Sequence, residues 1–389
     1  MSMAFHIGIL LALSVMALVL LVNIASLRSL GTSPKPRVQP MVSALVPARN
    51  EERNIGQCIE SMVRQDYPVY EILVLDDGSE DGTAAIVQEW ERKDPRVRYI
   101  KGQPLPPGWV GKSFACHQLS LEAKGDILLF VDADTRHSPK SIISGVAALE
   151  HHRADLLTVL PHEIMETFWE KMILPLLHFN LLCFLPMPLV SGSRDPRFAM
   201  ANGQYMMFRK SAYASVGGHA AVKDAMVEDV WLSRIIKRAG FKLRILDGSK
   251  VVSCRMYSSF TGIWQGFSKN LFAGFNFSLP ALTTVILFHG ATSILPLVSL
   301  VGILVGEIPA SIWPIVAAQI GVLVAIRLLL SARFQLDYAS AFLHPLAMSV
   351  VIGMAINSVR WVLVAGGSKW KGRAYEFKNQ ALAGMKGER

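Results

Sequence analysis

The chain is poor in cysteine and in charged side chains. Only 4 of its 389 residues are cysteine, and none lies in a C-x-x-C pair or near a histidine at zinc-binding spacing. A metal site built on thiolates is therefore not expected, and nothing indicates an oxidising compartment. Charged residues make up 18% of the chain and hydrophobic residues 51%. Because this balance is unusual for a soluble enzyme, we expect membrane segments beside one sizeable folded domain.

Acidic residues are also scarce relative to basic ones. The chain has 30 Asp and Glu against 39 Lys and Arg, which gives a formal net charge of +9. The basic residues are scattered, and the sequence has no DNA- or RNA-binding motif, so we expect no nucleic-acid partner. In chains with membrane spans, an excess of Lys and Arg usually lies on the cytoplasmic side, where it faces anionic lipid.

The chain does contain long apolar runs. Residues 4–27 are apolar for longer than the core of a signal peptide, lack a preceding basic region and are followed by Arg28, Lys35 and Arg37. This pattern predicts a retained membrane anchor with the N-terminus outside and the following chain in the cytoplasm. Three more stretches are long enough to span a bilayer. They are residues 279–305, 308–330 and 339–366.

The topology of two apolar segments stays open. Residues 168–190 contain three prolines and, if they crossed the membrane, would separate the acidic residues near position 132 from those near position 228. We therefore predict an interfacial segment at about 166–190, with a core helix as the alternative. Three full C-terminal crossings would leave the basic tail outside, so the stretch that contains His344-Pro345 and Arg360 is a candidate re-entrant segment.

Short apolar strands alternate with helical patterns from about residue 41 to residue 160, which predicts a doubly wound α/β domain. The predicted strands are 42–47, 71–75, 97–100, 127–131 and 156–160. The predicted helices are 51–65, 83–91, 112–123, 139–149 and 228–239. We expect four regions along the chain. They are an anchor and linker (1–40), a cytoplasmic α/β domain (41–270), transmembrane helices (271–368) and a basic tail (369–389).

Two acidic clusters each follow a buried apolar strand. Asp76 and Asp77 follow the second predicted strand, and Asp132 and Asp134 follow the fourth. Ligands of open α/β sheets bind at the carboxyl ends of strands, and carboxylates gathered there repel each other unless a cation lies between them. Because positions i and i+2 of an extended strand point the same way, Asp132 and Asp134 are predicted to share one Mg²⁺ or Mn²⁺ that carries a diphosphate.

Three further segments carry residues suited to the same chemistry. The stretch from Pro47 to Glu51 ends a strand and opens a helix, whose backbone amides suit phosphate or a base edge. Lys112 follows a glycine and supplies a point charge for phosphate, although the loop lacks Walker spacing. Glu228 and Asp229 begin a helix, where the dipole stabilises acidic residues. Their alternative role is that of a general base for an acceptor hydroxyl.

Several stretches together resemble the family 2 glycosyltransferases, inverting enzymes with the GT-A fold. They are VPARNE at 46–51, DDGS at 76–79, DAD at 132–134 and VED at 227–229. Further stretches are similar to membrane-bound members of the family that act in carotenoid biosynthesis. They are GWVGKSFAC at 108–116, GGH at 217–219, RMY at 255–257, WQGFSKN at 264–270, HPL at 344–346 and WKGRAY at 370–375.

The resemblance implies a role for individual residues. It implies a UDP-sugar donor whose nucleotide lies among Pro47, Arg49, Glu51, Asp77, Lys112 and Asp132. It also implies Asp134 as the main metal ligand, Asp229 as the base beside Glu228, and Asn202-Gly203-Gln204 along the donor sugar. Trp264 is expected to stack on the sugar or the acceptor, and Lys269 is expected to contact a phosphate group. The Q-x-x-R-W segment of processive synthases is absent at this place, which favours transfer of a single sugar.

The leading prediction is therefore transfer of one sugar to a carotenoid, terpenoid or similar lipid acceptor, at the inner membrane, with the catalytic domain in the cytoplasm. A polyprenyl-phosphate sugar synthase and a ceramide- or hopanoid-type glycolipid glycosyltransferase are the alternatives within the family. A membrane-bound nucleotidyltransferase shares the metal carboxylates but does not predict a base. A non-enzymatic binder of nucleotide sugars does not account for the intact carboxylates at Asp132, Asp134, Glu228 and Asp229.

Overall fold

The computed structural model describes residues 2–364, Gly367–Trp370 and Arg373–Glu376. Most of the predicted basic tail, and part of the WKGRAY stretch, lie outside the described residues. Contacts divide the described chain into two units. The sheet unit is formed by Ser26–Ile164 and Met187–Met256. The helical unit is formed by the described parts of Met1–Ala25, Met165–Pro186 and Tyr257–Arg389. The predicted domain boundaries stay a prediction.

The sheet unit contains one large and one small sheet. Its strands, in chain order, are β1 (Val42–Ala48), β2 (Tyr70–Asp76), β3 (Val97–Lys101), β4 (Ile127–Phe130), β5 (Thr135–His137), β6 (Leu156–Leu160), β7 (His162–Glu163), β8 (Met206–Arg209), β9 (Leu243–Asp247) and β10 (Val252–Cys254). The large sheet has the order β3-β2-β1-β4-β8-β6-β9, and β8 is the strand antiparallel to its neighbours. The small sheet has the order β5-β10-β7. The predicted mixed, doubly wound α/β fold is confirmed.

Helices of both units are numbered together in chain order. Those of the sheet unit are α2 (Ile55–Val63), α3 (Thr83–Lys93), α4 (Gly111–Glu122), α5 (Ser141–His151), α8 (Met187–Gly192), α9 (Lys210–Ser215) and α10 (Glu228–Arg238). Those of the helical unit are α1 (Met3–Ser26), α6 (Phe168–Ile173), α7 (Pro175–Phe184), α11 (Phe260–Gly274), α12 (Leu279–His289), α13 (Leu295–Leu304), α14 (Trp313–Phe334) and α15 (His344–Leu363).

The sequence explains why these elements pack as they do. β1, β2, β4 and β6 are almost wholly buried, as expected of parallel strands covered on both faces. Helix α2 buries Ile55, Cys58, Ile59 and Met62, which lie on one side of a helix at spacings of three and four. It begins later than predicted because the Asn54 N–H donates to the Glu51 carbonyl at 2.9 Å, in a turn that precedes the helix.

Four segments of the described chain are long and apolar enough, by length and composition, to cross a membrane. They confirm the predicted count of one N-terminal and three C-terminal candidates, at Met3–Ser26, Leu279–Leu304, Ala310–Phe334 and His344–Leu363. The second joins α12 and α13 through a π-helical turn, Gly290–Ile294. The predicted re-entrance of residues 339–366 stays a prediction, although α15 runs unbroken through most of them.

The predicted interfacial segment at 166–190 consists of short helices rather than one span. Helix α6 begins with a capping box between Thr167 and Glu170, and Pro175 begins α7 in the first turn, where a missing N–H costs nothing. Within the helical unit, the Asn23 amide of α1 donates to the carbonyls of Leu182 and Leu185, at 2.7 and 2.9 Å. These bonds satisfy carbonyls that the end of α7 leaves open.

Candidate active site

A lysine lies between two carboxylates at the carboxyl end of the large sheet. The Lys112 ammonium is 2.6 Å from Asp132 Oδ1 and 3.0 Å from Glu228 Oε1. Burial alone would lower the pKa of Lys112, but Asp132 and Glu228 outweigh it and raise that pKa well above its usual value. The sequence predicted a cation among the carboxylates that follow β2 and β4, of which Asp132 is one. In this structure the cation in contact with Asp132 is the side chain of Lys112.

Three separate elements bring this cluster together. Lys112 lies in the first turn of α4, Asp132 follows the end of β4, and Glu228 is the first residue of α10. A Cβ at Gly203 would lie 2.9 Å from Lys112 Nζ, closer than real Cβ atoms approach other atoms. A side chain at Gly203 would therefore displace the Lys112 ammonium, which lies at the end of a flexible side chain. The predicted roles of Gly203 and Lys112 beside donor sugar and phosphate stay predictions.

Asp229 is held next to this cluster by backbone donors. Its Oδ2 accepts from the Gly203 N–H at 2.9 Å, and its Oδ1 accepts from the Val230 N–H at 2.8 Å. Burial and the neighbouring charge of Glu228 raise the pKa of Asp229 to about 7, although Lys112 and the two N–H groups act in the opposite direction. A carboxylate with a pKa near neutrality suits a group that takes up a proton during reaction.

The segment from Asp132 to Asp134 does not continue the strand. β4 ends at Phe130, and the Thr135 N–H donates to the Asp132 carbonyl at 3.2 Å, which closes a turn. The prediction that the strand stays extended here, which placed both carboxylates on one side, was therefore wrong. Asp132 and Asp134 are nevertheless both half-buried on either side of buried Ala133. Their sharing of one ion stays a prediction.

Glu163 is a carboxyl group near this segment that the sequence analysis missed. It is 6% exposed and lies on β7, which pairs with β10 in the small sheet. Burial raises the pKa of Glu163 to about 8, and the charges of Asp134 and Asp132 act in the same direction. The signal was present, because Glu163 follows the predicted strand 156–160 as the other acidic residues follow theirs.

The loop after β1 and the loop after β2 hold each other in place. Arg49 Nη1 donates to the carbonyls of Asp77 and Gly78 at 2.6 and 2.7 Å. The Asp77 N–H donates to the Ala48 carbonyl at 2.8 Å, and the Glu51 N–H donates to Thr83 Oγ1 at 2.8 Å. In this structure Arg49 therefore positions the Asp77 loop. Contacts of Pro47, Arg49, Glu51 and Asp77 with a nucleotide stay predictions.

The GGH stretch at 217–219 packs near the end of β4, next to the site. A Cβ at Gly218 would lie 2.3 Å from the Tyr213 ring, so only glycine fits there. The Tyr213 hydroxyl and His219 Nδ1 are 2.7 Å apart, and the His219 ring is 4.8 Å from the ring of Phe130. Burial lowers the pKa of His219 to about 3. We conclude that this histidine is neutral and packs under the end of β4.

Trp264 and Lys269 lie on α11 in the helical unit. Within that unit the Trp264 ring is 5.8 Å from the ring of Phe260, and it lies next to Gly353 of α15, where an added Cβ would be at an ordinary contact distance of 3.5 Å from the indole. The parts assigned to Trp264 and Lys269 in donor or acceptor binding stay predictions.

The donor set at the sheet edge fits a divalent ion that is held jointly with a ligand. Among the described residues, no group of three His, Cys, Asp or Glu side chains is arranged as a metal site. Mg²⁺ usually takes one or two protein carboxylates and completes its shell with water and substrate phosphates. Asp132 and Asp134 supply two carboxylates of that kind, so these residues suit an ion that arrives with a diphosphate.

Part of the chain matches a known protein family, and curated proteins are similar to it in sequence. Residues 43–217 match the family described as Glycosyl transferase family 2. A 4,4'-diaponeurosporenoate glycosyltransferase of Staphylococcus aureus is 27% identical over 346 residues, which cover 87% of this chain and 89% of the relative. A protein of the same name from Staphylococcus haemolyticus is 28% identical over 252 residues, which cover 63% of this chain and 65% of that relative.

A solved structure shares the fold. A mannosyltransferase from Pyrobaculum calidifontis, in complex with GDP-Man and Mn²⁺, aligns with a TM-score of 0.55. The alignment covers 92% of this chain and 98% of that chain at 17% sequence identity. The match extends over the length of both chains, and it supports the GT-A arrangement of the sheet unit.

Proposed function

Since residues 43–217 match the family described as Glycosyl transferase family 2, we propose that the chain transfers one sugar from a UDP-sugar to a lipid acceptor, with inversion at the anomeric carbon. The observation that carries the proposal is the cluster at the carboxyl end of the sheet. There Lys112 contacts Asp132 and Glu228, and Asp229 has a pKa near 7. The names of the relatives and the four apolar helices support a lipid acceptor.

In the proposed reaction Asp229 is the general base. The acceptor hydroxyl loses its proton to the Asp229 carboxylate while its oxygen forms a bond to the anomeric carbon. The bond between that carbon and the phosphate oxygen breaks, and the nucleoside diphosphate leaves with the electron pair. Because attack and departure occur on opposite faces, the configuration inverts. The backbone N–H groups of Gly203 and Val230 fix the orientation of the base.

Lys112 serves the leaving group in this proposal. Its ammonium would balance charge on the leaving diphosphate, and Glu228 holds it by a contact of 3.0 Å. A divalent ion bound by Asp134 and Asp132 would supply further stabilisation of the leaving diphosphate. Mn²⁺ and a GDP-sugar are included in the test because the fold relative is a complex with both.

The acceptor decides how much the base contributes. The relatives are named for 4,4'-diaponeurosporenoate, and an acceptor of that kind is a carboxylate. A carboxylate arrives ionised at neutral pH, so it needs no proton removal. A hydroxyl acceptor does need it. The response of the Asp229→Asn variant therefore distinguishes a hydroxyl acceptor from one that arrives ionised, and product analysis separates a carboxylate acceptor from a polyprenyl phosphate.

The proposal places the four apolar helices in the inner membrane and the sheet unit in the cytoplasm. The basic residues that follow residues 4–27, namely Arg28, Lys35 and Arg37, support this orientation by the positive-inside rule. Single cysteines introduced at exposed Glu80 and Lys124 test it. We expect a membrane-impermeant thiol reagent to label both only after the cells are opened, and labelling in intact cells would contradict the orientation.

The function is tested by product analysis. Membranes that contain the full chain are supplied with labelled UDP-sugars or GDP-sugars and Mn²⁺ or Mg²⁺, and the extracted lipids are examined by mass spectrometry. We expect one lipid to gain the mass of one sugar, with release of nucleoside diphosphate. A polyprenyl-phosphate sugar as product would support the synthase alternative. Pyrophosphate release would support a nucleotidyltransferase, and tight donor binding without any sugar-bearing lipid would support a non-enzymatic binder.

A further inference from the structure

A second charged site lies at the other end of the strands that carry the acidic cluster. β8 ends at Arg209, which is the partner of Ile127, the first residue of β4. A cavity of about 470 Å³ opens here and is lined by four basic side chains, those of Lys35, Arg37, Arg153 and Arg209. Its volume lies within the range of small-molecule sites.

The positive charge of this cavity is not balanced by ion pairs within the described chain. The four basic side chains form no salt bridge there; the carboxylate in the lining is that of Glu150, whose Oε2 accepts from the backbone N–H of Arg37 at 2.9 Å. Arg209 Nε donates to the Ala154 carbonyl at 3.1 Å. Four like charges around one cavity repel each other, so an anion that enters would be attracted by all of them.

Two further arginines, Arg244 and Arg28, lie near the cavity, together with one carboxylate, that of Asp155. Next to the cavity, the pKa of His152 is lowered to about 4 by burial and by the charges of Arg244 and His151. Burial, and to a smaller extent the charge of Arg28, lowers the pKa of Arg244. The nearby Asp155 carboxylate accepts from the Lys242 N–H at 2.8 Å. The basic character therefore extends beyond the lining residues.

Arg153 occupies a backbone position that ordinarily belongs to glycine. It follows α5 with a φ of 48°, in the left-handed region. The Ala154 N–H donates to the Leu149 carbonyl at 2.9 Å, which is the pattern of a helix end that favours glycine. An arginine there destabilises the fold relative to glycine. The dipole at the end of α5 favours a cation, but it does not account for Lys35, Arg37 and Arg209, which come from other segments.

We propose that this cavity binds a phosphate-bearing anion, and that the anion is the headgroup of an acidic phospholipid. Arginine and lysine are the side chains that recognise phosphate. A lipid source is favoured because Lys35 and Arg37 come nine and eleven residues after Met3–Ser26, a candidate span. Juxtamembrane basic groups attract anionic lipid. The inference does not depend on the proposed transferase function.

The test uses the purified full chain in neutral detergent with EDTA, so that metal-dependent binding at the acidic cluster does not contribute. Short-chain phosphatidic acid, phosphatidylcholine of the same chain length and inorganic pyrophosphate are titrated by calorimetry. The variants are Arg153→Gly, Arg37→Gln and their combination. Arg92→Gln, at an exposed position near the end of α3, removes one charge elsewhere and is the matched control.

We expect the wild type and Arg92→Gln to bind phosphatidic acid equally, and the double variant to bind it at least tenfold more weakly. Phosphatidylcholine should not bind at this site in any variant. Because glycine suits position 153, Arg153→Gly should melt no lower than the wild type, which excludes misfolding as the cause. If the variants lose pyrophosphate binding but still bind phosphatidic acid as the wild type does, the cavity is a phosphate site for a soluble ligand, and the lipid assignment is overturned. Equal binding of both ligands in all variants would overturn the site.

Discussion

The two ends of the large sheet differ in the sign of their charge and in whether that charge is paired. At the carboxyl end, Lys112 lies between Asp132 and Glu228, so charge is compensated by neighbours within the chain. At the amino end, Arg209 and Arg153 line a cavity and form no ion pair in the described part of the chain. β4, which has four residues, joins the two ends over about 13 Å at the usual rise per residue. At the carboxyl end, the paired charges hold the side chains in place before a ligand binds. At the amino end, the unpaired positive charge favours an anion that is not part of the chain.

Loss of Asp134 should have the largest effect on the carboxyl end. If Asp134 holds the divalent ion, Asp134→Ala removes several kcal/mol of leaving-group stabilisation, and sugar transfer should fall about a thousandfold or more. Initial rates of lipid glycosylation at saturating donor measure this. Asp126→Ala, an exposed carboxylate before β4, is the control and should retain activity. Transfer at the normal rate by Asp134→Ala would break the assignment of the acidic end as the metal site.

Asp229 should give the next largest effect and a pH signature. With a hydroxyl acceptor, Asp229→Asn should lower kcat about 10²- to 10⁴-fold. With a carboxylate acceptor the loss should be small. Because the base must be ionised and its pKa is raised to about 7, kcat/KM for a hydroxyl acceptor should rise as pH increases through 7.

The same shift predicts the effect on stability. The folded pKa of Asp229 lies above its value in the unfolded chain, so this group stabilises the fold below about pH 4, and that contribution is lost as pH rises through about 7. Asp229→Asn should therefore raise Tm at pH 8 more than at pH 5. An equal Tm difference at both pH values, together with a flat activity profile, would contradict the raised pKa.

Substitution of Lys112 tests whether Asp132 and Glu228 depend on its positive charge. Lys112→Met leaves Asp132 and nearly buried Glu228 without their cation, which should destabilise the fold by about 1–3 kcal/mol. Urea unfolding of the detergent-solubilised chain measures the change. Lys124→Met, an exposed lysine, should be neutral. If the Lys112 variant is as stable as the control, the two carboxylates do not depend on this lysine, and the contrast between the two ends of the sheet weakens.

Arg153 gives the smallest effect, with the opposite sign. Because its φ of 48° suits glycine, Arg153→Gly should raise stability by about 0.5–1 kcal/mol. Thermal unfolding at several salt concentrations measures the change. Relief of charge repulsion should make the gain largest at low ionic strength. A lower Tm at all salt concentrations would show that this arginine stabilises the fold and is not kept for a ligand.

The parts of the fold with long buried strands could be predicted from the sequence. β1, β2, β3, β4 and β6 agree with predicted strands within one or two residues, because runs of buried Val, Ile and Leu are distinctive. The strands β5, β7, β8, β9 and β10 were missed. Most of them have two to four residues and pair with neighbours that are distant in sequence, so no local pattern marks them.

The site was predictable in its residues but not in its contacts. Asp132 was identified because it follows a predicted strand, and Glu228 was identified because it begins a predicted helix. The contact of Lys112 with both, however, depends on three elements that meet only in the folded chain. The turn after Asp132 replaced the expected extended strand, and Glu163 was overlooked on a strand of two residues. The basic cavity could not be seen at all, because Arg37, Arg153 and Arg209 are far apart in sequence.

The most direct test of the account is metal-dependent binding of UDP to the full chain. Calorimetry with Mn²⁺ should show UDP binding to the wild type that is lost with EDTA and weakened at least tenfold in Asp134→Ala, while the Arg153→Gly variant binds as the wild type does. UDP binding of equal strength in Asp134→Ala, or binding that does not respond to the metal, would contradict the claim that the carboxyl end of the sheet holds a nucleotide diphosphate through a shared ion.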